Sequence, residues 1–116
     1  MPSLKLYGRP IVPQDFFVYI LKCSNGSLYT GFTTDLAKRY QEHLEGKGAK
    51  YTRSFKPTEL AQAWQVFIDK SMAMKVESYI KALTRKLKLE LIAEPWRLVE
   101  LFGREVISVD AKTNLQ

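Results

Sequence analysis

The chain has little of what most metal and redox sites are built from. Its 116 residues hold one cysteine and one histidine, which excludes an internal disulfide, a cysteine-based zinc site and a zinc site of paired histidines. Cys23 lies in an apolar, β-branched stretch, where a small core residue is expected. None of the six glycines is arranged as a phosphate-binding loop, and there are two asparagines, Asn25 and Asn114. No run approaches the ~20 apolar residues of a membrane span, and no basic-then-apolar leader opens the chain. A cytoplasmic protein is the expectation. Repeats, low-complexity tracts and interdomain linkers are absent as well.

What is present suits one modest domain. The net charge is +6 and uneven. Up to Thr58 there are nine Lys/Arg against four Asp/Glu, and from Glu59 onward nine against eight, so the excess is +5 in the first part and +1 in the second. A basic first half favours a polyanion, and nucleic acid is the commonest such partner.

The three prolines of residues 1–15 and their lack of period predict an irregular N-terminal arm, with Tyr7 and Ile11-Val12 able to dock on the domain. A hairpin follows. Phe16 to Cys23 is β-branched and aromatic, stops at Ser24-Asn25-Gly26, and resumes as Ser27 to Thr33. A two-residue turn would send Tyr19 and Tyr29 to opposite faces. A three-residue loop with a left-handed Gly26 would pair Leu21 with Tyr29 and Tyr19 with Gly31, placing both hydroxyls on one face. That bulged loop is the geometry expected here, and the even-numbered Val18, Ile20, Leu28 and Phe32 then form a buried face.

Thr33-Thr34-Asp35 offers capping oxygens to a helix that Gly46 closes. Leu36, Tyr40 and Leu44 form its core stripe, and Arg39 and His43 line up one position round from it. Two stacked cations would repel by roughly 0.2–0.5 kcal/mol, so an anionic neighbour or a neutral imidazole is expected there. Gly46 to Pro57 reads as a basic loop whose Lys47, Lys50, Arg53 and Lys56 alternate with Tyr51 and Phe55, a composition suited to phosphates and bases. Glu59 to Asp69 reads as a third strand. Asp69 caps a helix with Glu77 at the edge of its apolar stripe, where it could also pair with Lys81. Thr84 caps a segment from Arg85 to Ala93 whose Arg85 and Lys86 could face phosphate. Beyond Pro95 a terminal strand or hairpin is expected, ending in a frayed tail from Asp110.

Val18-Tyr19-Ile20, then Tyr29-Thr30-Gly31 ten residues later, then Arg39, His43 and Glu77 in that order, resemble the GIY-YIG nuclease domain. The small bacterial members share the wording Val18-Tyr19-Ile20-Leu21-Lys22-Cys23, Gly26 to Gly31, and Gly46 to Arg53. The resemblance implies an α/β (α+β) fold, a three-stranded antiparallel sheet flanked by helices over residues 16–94; residues 95–116, outside the match, are expected to pack on it as a C-terminal strand or hairpin extension. It also implies a metal-dependent endonuclease acting on DNA, as in excision-repair and resolving nucleases. Tyr19, Tyr29, Arg39, His43 and Glu77 become the catalytic set, with Glu77 the single ligand of Mg²⁺ or Mn²⁺. Tyr19, Tyr29 and His43 are all candidates for the general base. Lys47, Lys50, Arg53, Lys56, Arg85 and Lys86 are the nucleic-acid contacts, and a protein partner could add specificity. The alternative is a nucleic-acid-binding or partner-dependent subunit that does not cut. Val18 and Thr30 stand where the family name has isoleucine, and the late-helix asparagine of several members has no counterpart.

Overall fold

A computed structural model describes residues 15–67 and 69–110. The N-terminal arm, with Tyr7 and Ile11-Val12, and most of the expected tail lie outside the described residues.

The hairpin is built as its turn chemistry requires. β1 (Phe16–Cys23) and β2 (Leu28–Thr33) pair antiparallel with Leu21 opposite Tyr29 and Tyr19 opposite Gly31. The Gly26 N–H donates to the Cys23 carbonyl at 2.8 Å and the Cys23 N–H to the Ser27 carbonyl at 2.9 Å. Gly26 is left-handed at φ +83, a conformation that would strain a residue with a β-carbon. The three-residue loop is therefore present, and both tyrosines share a face.

β3 (Pro57–Val66) pairs with the other edge of β1, and β4 (Val106–Val109) with β3. The sheet is thus four-stranded and antiparallel in the order β2-β1-β3-β4, one strand more than expected. The addition comes from the C-terminal segment, where the alternation of Val106, Ile107 and Val109 supplies a half-buried edge.

Helices cover both faces. α3 (Lys70–Lys81), α4 (Arg85–Ala93) and α5 (Trp96–Phe102) carry Val76, Ile80, Leu91 and Leu98 onto Val18, Ile20, Trp64 and Val66. On the opposite face Tyr19, Leu21, Leu60 and Ala63 pack with Leu36 of α1 (Leu36–Leu44). The odd-numbered side is buried as well as the even, which makes β1 a central strand covered twice. Asp35, Asp69 and Thr84 cap α1, α3 and α4, each accepting from the backbone N–H three residues on.

Two segments depart from expectation. Lys50–Ser54, within the expected basic loop, is a short helix, α2, with Thr52 buried. Trp96–Phe102, expected as a strand, is α5. Its Leu98, Val99 and Phe102 meet the core at helical spacing, the Trp64 indole N–H donates to the Pro95 carbonyl at 3.0 Å, and Gly103 at φ +78 ends it.

Candidate active site

The register of the hairpin opens a space that Tyr19 fills. Its two cross-strand neighbours are Gly31 on β2 and Ala63 on β3, both small. A β-carbon on Gly31 would stand 2.6 Å from the Tyr19 hydroxyl oxygen, so the ring needs the glycine. Tyr19 is 2% exposed, and its hydroxyl lies 2.8 Å from His43 Nε2.

His43 is not on a solvated flank. It is fully buried, because α2 folds back over it. Its Nδ1 lies 2.7 Å from Thr52 Oγ1, and the Thr52 hydroxyl lies 2.9 Å from the Ala49 carbonyl. A carbonyl can only accept, so the single Thr52 hydroxyl proton goes to Ala49. Thr52 must then accept from His43, which places the imidazole proton on Nδ1. Nε2 is left bare and takes the Tyr19 O–H. A chain of three hydrogen bonds thus runs Tyr19 to His43 to Thr52 to the α2 backbone, with one proton assignment consistent throughout. Gly48 protects it, since a β-carbon there would overlap His43 Nδ1.

The electrostatics agree with that assignment. Burial first, and the nearby Arg39 charge second, push the His43 pKa down to about 4, so the imidazole is neutral at physiological pH. Burial pushes Tyr19 up to about 12, partly opposed by Arg39, and Tyr29 is raised mainly by burial too. Glu77 raises both tyrosines further, while Arg39 pulls both down, so both tyrosines feel the two charges. Arg39 Nη1 lies 3.0 Å from Glu42 Oε1, so the anionic neighbour and the neutral imidazole, offered as alternatives by the Arg39–His43 spacing, occur together. Beside it opens a cleft of about 770 Å³ whose wall also carries Lys38 and Lys70. The Tyr29 ring meets His43 edge-on, centroids 5.5 Å apart.

Residues 15–90 match the family model described as the GIY-YIG catalytic domain. The chain belongs to the GIY-YIG family. A UPF0213 protein of Vibrio cholerae is 41% identical over 90 residues, spanning 78% of this chain and 89% of its own length. A UPF0213 protein of Halalkalibacterium halodurans is 47% identical over 80 residues, 69% of this chain and 84% of that one. The solution NMR structure of a UPF0213 protein from Bacillus halodurans aligns at 40% identity over 77% of this chain and 97% of its own, with a TM-score of 0.45.

The five residues that the GIY-YIG resemblance singles out are accordingly drawn together by β1, β2, α1 and α3. Thr52, Gly48 and Glu42 complete the site and were not anticipated. Gly48 and Thr52 stood within the quoted motif of residues 46–53, but nothing in their spacing marks a buried hydroxyl. Among the described residues no group of three His, Cys, Asp or Glu could hold a metal. Glu77 offers one carboxylate, 17% exposed, its Oε2 3.6 Å from Lys81 Nζ. That donor set does not fit zinc. It fits a hard ion such as Mg²⁺, which keeps most of its waters and needs one or two carboxylates beside phosphate oxygens.

The six basic residues expected to meet nucleic acid are all exposed. Lys47, Lys50, Arg53 and Lys56 cluster on and around α2. Arg85 and Lys86 start α4, where Arg85 Nη1 donates to the Gly26 carbonyl at 2.6 Å and so braces the hairpin turn.

Proposed function

We propose that this protein is a metal-dependent endonuclease that hydrolyses phosphodiester bonds in DNA, with Tyr19 and His43 moving the proton of the attacking water. The hydrogen bond from the Tyr19 hydroxyl to a bare, neutral His43 Nε2 carries the reading. As the water oxygen bonds to phosphorus and the bond from phosphorus to the leaving oxygen breaks, one water proton passes to the Tyr19 oxygen while the Tyr19 proton passes to His43 Nε2, and the leaving alkoxide takes its proton from solvent water. This order resolves a mismatch, because a tyrosine pushed up to about 12 is fully protonated at neutral pH and cannot act as a base unaided.

Arg39 would meet the charge that builds on the phosphate, since its planar donors suit two phosphate oxygens. A phosphate there would also offset the Arg39 charge that, second to burial, holds the His43 pKa down. The Tyr29 ring meets the His43 ring edge-on and would limit how it can turn. Glu77 would hold the divalent ion, which when bound would supply positive charge to the phosphate being cleaved. The setting we propose is DNA repair or recombination, as for the excision-repair and resolving nucleases that share the domain.

Purified protein should nick plasmid or branched DNA in Mg²⁺ or Mn²⁺, and Glu77→Gln, Arg39→Ala and Tyr19→Phe should each lower the rate at least ~100-fold. Absence of cutting on every DNA form in both metals would defeat the proposal and leave a binding subunit.

A further inference from the structure

A row of aromatic rings leads from the site out onto the surface. Tyr29 lies nearly parallel to Tyr51, planes at 11° and centroids 6.4 Å apart, and Tyr51 meets Phe55 at 5.3 Å. Tyr51 and Phe55 are 39% and 38% exposed, large rings held at the surface rather than in either core cluster.

Tyr51 is held rigidly for an exposed side chain. Asn25 Nδ2 donates to its hydroxyl oxygen at 3.0 Å. Ser27 Oγ donates to Asn25 Oδ1 at 2.7 Å and lies 2.6 Å from the Tyr51 oxygen, so Ser27 must accept the Tyr51 proton. The hydroxyl is therefore occupied by the hairpin loop, and the ring face is what remains to meet a ligand. Around it stand Lys50, Arg53 and Lys56, none of them in an ion pair among the described residues. Fixed rings beside unpaired cations are complementary to a strand whose bases are free to stack and whose phosphates are negative. A duplex offers the phosphates but hides the base faces.

We infer that Tyr51 and Phe55 form a stacking platform for unpaired bases next to the cut, so that the preferred substrate is single-stranded DNA or the unpaired arm of a branched DNA. The inference rests on the nuclease reading for the place of Tyr29 in the reacting site, whereas the platform itself is tested by binding.

Fluorescence anisotropy in EDTA with labelled oligothymidylate and with a duplex of equal length separates the two. The single strand should bind at least ~10-fold tighter. Tyr51→Leu and Phe55→Leu should each weaken it by about 5- to 100-fold in protein that circular dichroism shows to be folded, with duplex binding unmoved, and Tyr51→Phe, which keeps the ring but gives up its hydrogen bonds to Asn25 and Ser27, should weaken it less than Tyr51→Leu. Oligonucleotides carrying 5-iodouracil should crosslink to Tyr51 or Phe55 on irradiation. Unchanged single-strand affinity in both leucine variants, equal affinity for the duplex, or crosslinks confined elsewhere overturns the platform and leaves any metal-dependent cutting standing. Single-strand binding through Tyr51 by a protein that cuts nothing upholds the platform and removes the hydrolytic reading instead.

Discussion

Replacing Thr52 by valine exchanges one buried hydroxyl for a methyl group of nearly the same size. Thr52 is fully buried, so no water stands ready to replace the lost oxygen. The His43 Nδ1–H then loses its acceptor and the Ala49 carbonyl its donor. Leaving a buried donor unsatisfied costs about 1–3 kcal/mol. The imidazole can escape by shifting its proton to Nε2, but that nitrogen then opposes the Tyr19 O–H, and the site loses its acceptor for the Tyr19 proton. Either way stability falls by about 1–3 kcal/mol, roughly 4–8 °C in melting temperature per kcal/mol for a domain near this size. The chain has one histidine, so its two ring nitrogens give an unobscured long-range ¹⁵N–¹H spectrum. Wild type should show the proton on Nδ1, Thr52→Val a shift towards Nε2, and Thr52→Ser, which keeps the hydroxyl, a return to the wild-type pattern. Cleavage should follow the tautomer rather than the melting temperature. A wild-type spectrum with the proton on Nε2, or one that Thr52→Val leaves unchanged, refutes the relay.

Acid should destabilise the fold through His43. Its pKa falls to about 4 in the folded chain from 6.5, so the unfolded chain takes up the proton first, and stability present above pH ~6.5 is lost between there and pH ~4, by about 3 kcal/mol. Urea unfolding across that range should show a loss that shrinks in His43→Gln; equal losses in both proteins contradict it. For the same reason the acid limb of kcat/KM should lie near pH 4 rather than 6.5, as a pH–rate profile will show. Gly31→Ala and Gly48→Ala should each displace a ring of the Tyr19–His43 pair and cost about 1–3 kcal/mol, with cutting lost; wild-type rates in either would mean that the pair is dispensable. Thr30→Val should do the reverse, because Thr30 Oγ1 is buried with no hydrogen-bond partner among the described residues. Removing that hydroxyl should raise stability by about 1–2 kcal/mol without touching the rate, as calorimetry and a nicking assay will show.

Much of the site could be read in advance because its rules are local. A left-handed glycine after Asn25 sets the loop length, and a period of two then decides which tyrosines share a face. The caps at Asp35, Asp69 and Thr84 and the extent of Arg85–Ala93 likewise follow from neighbouring residues. What escaped depends on distant partners. α2 has five residues and no side-chain cap, too little to form alone, and its Thr52 is anchored by His43 from the previous helix. Burial of His43 is invisible for the same reason, since α1 alone places it beside the core stripe. In α5, apolar residues at nearly every position hide which of two periods the core will select.

The glycines at 31 and 48 make the Tyr19–His43 pair answerable to atoms that are not there. A survey of related chains that checks only for the two tyrosines, the arginine, the histidine and the glutamate would accept one carrying alanine at either place. Such a chain would keep every reactive side chain and still be unable to seat the tyrosine against the imidazole. On the proposed relay, a hydrogen at those two α-carbons is thus a requirement that the residues naming the motif do not express.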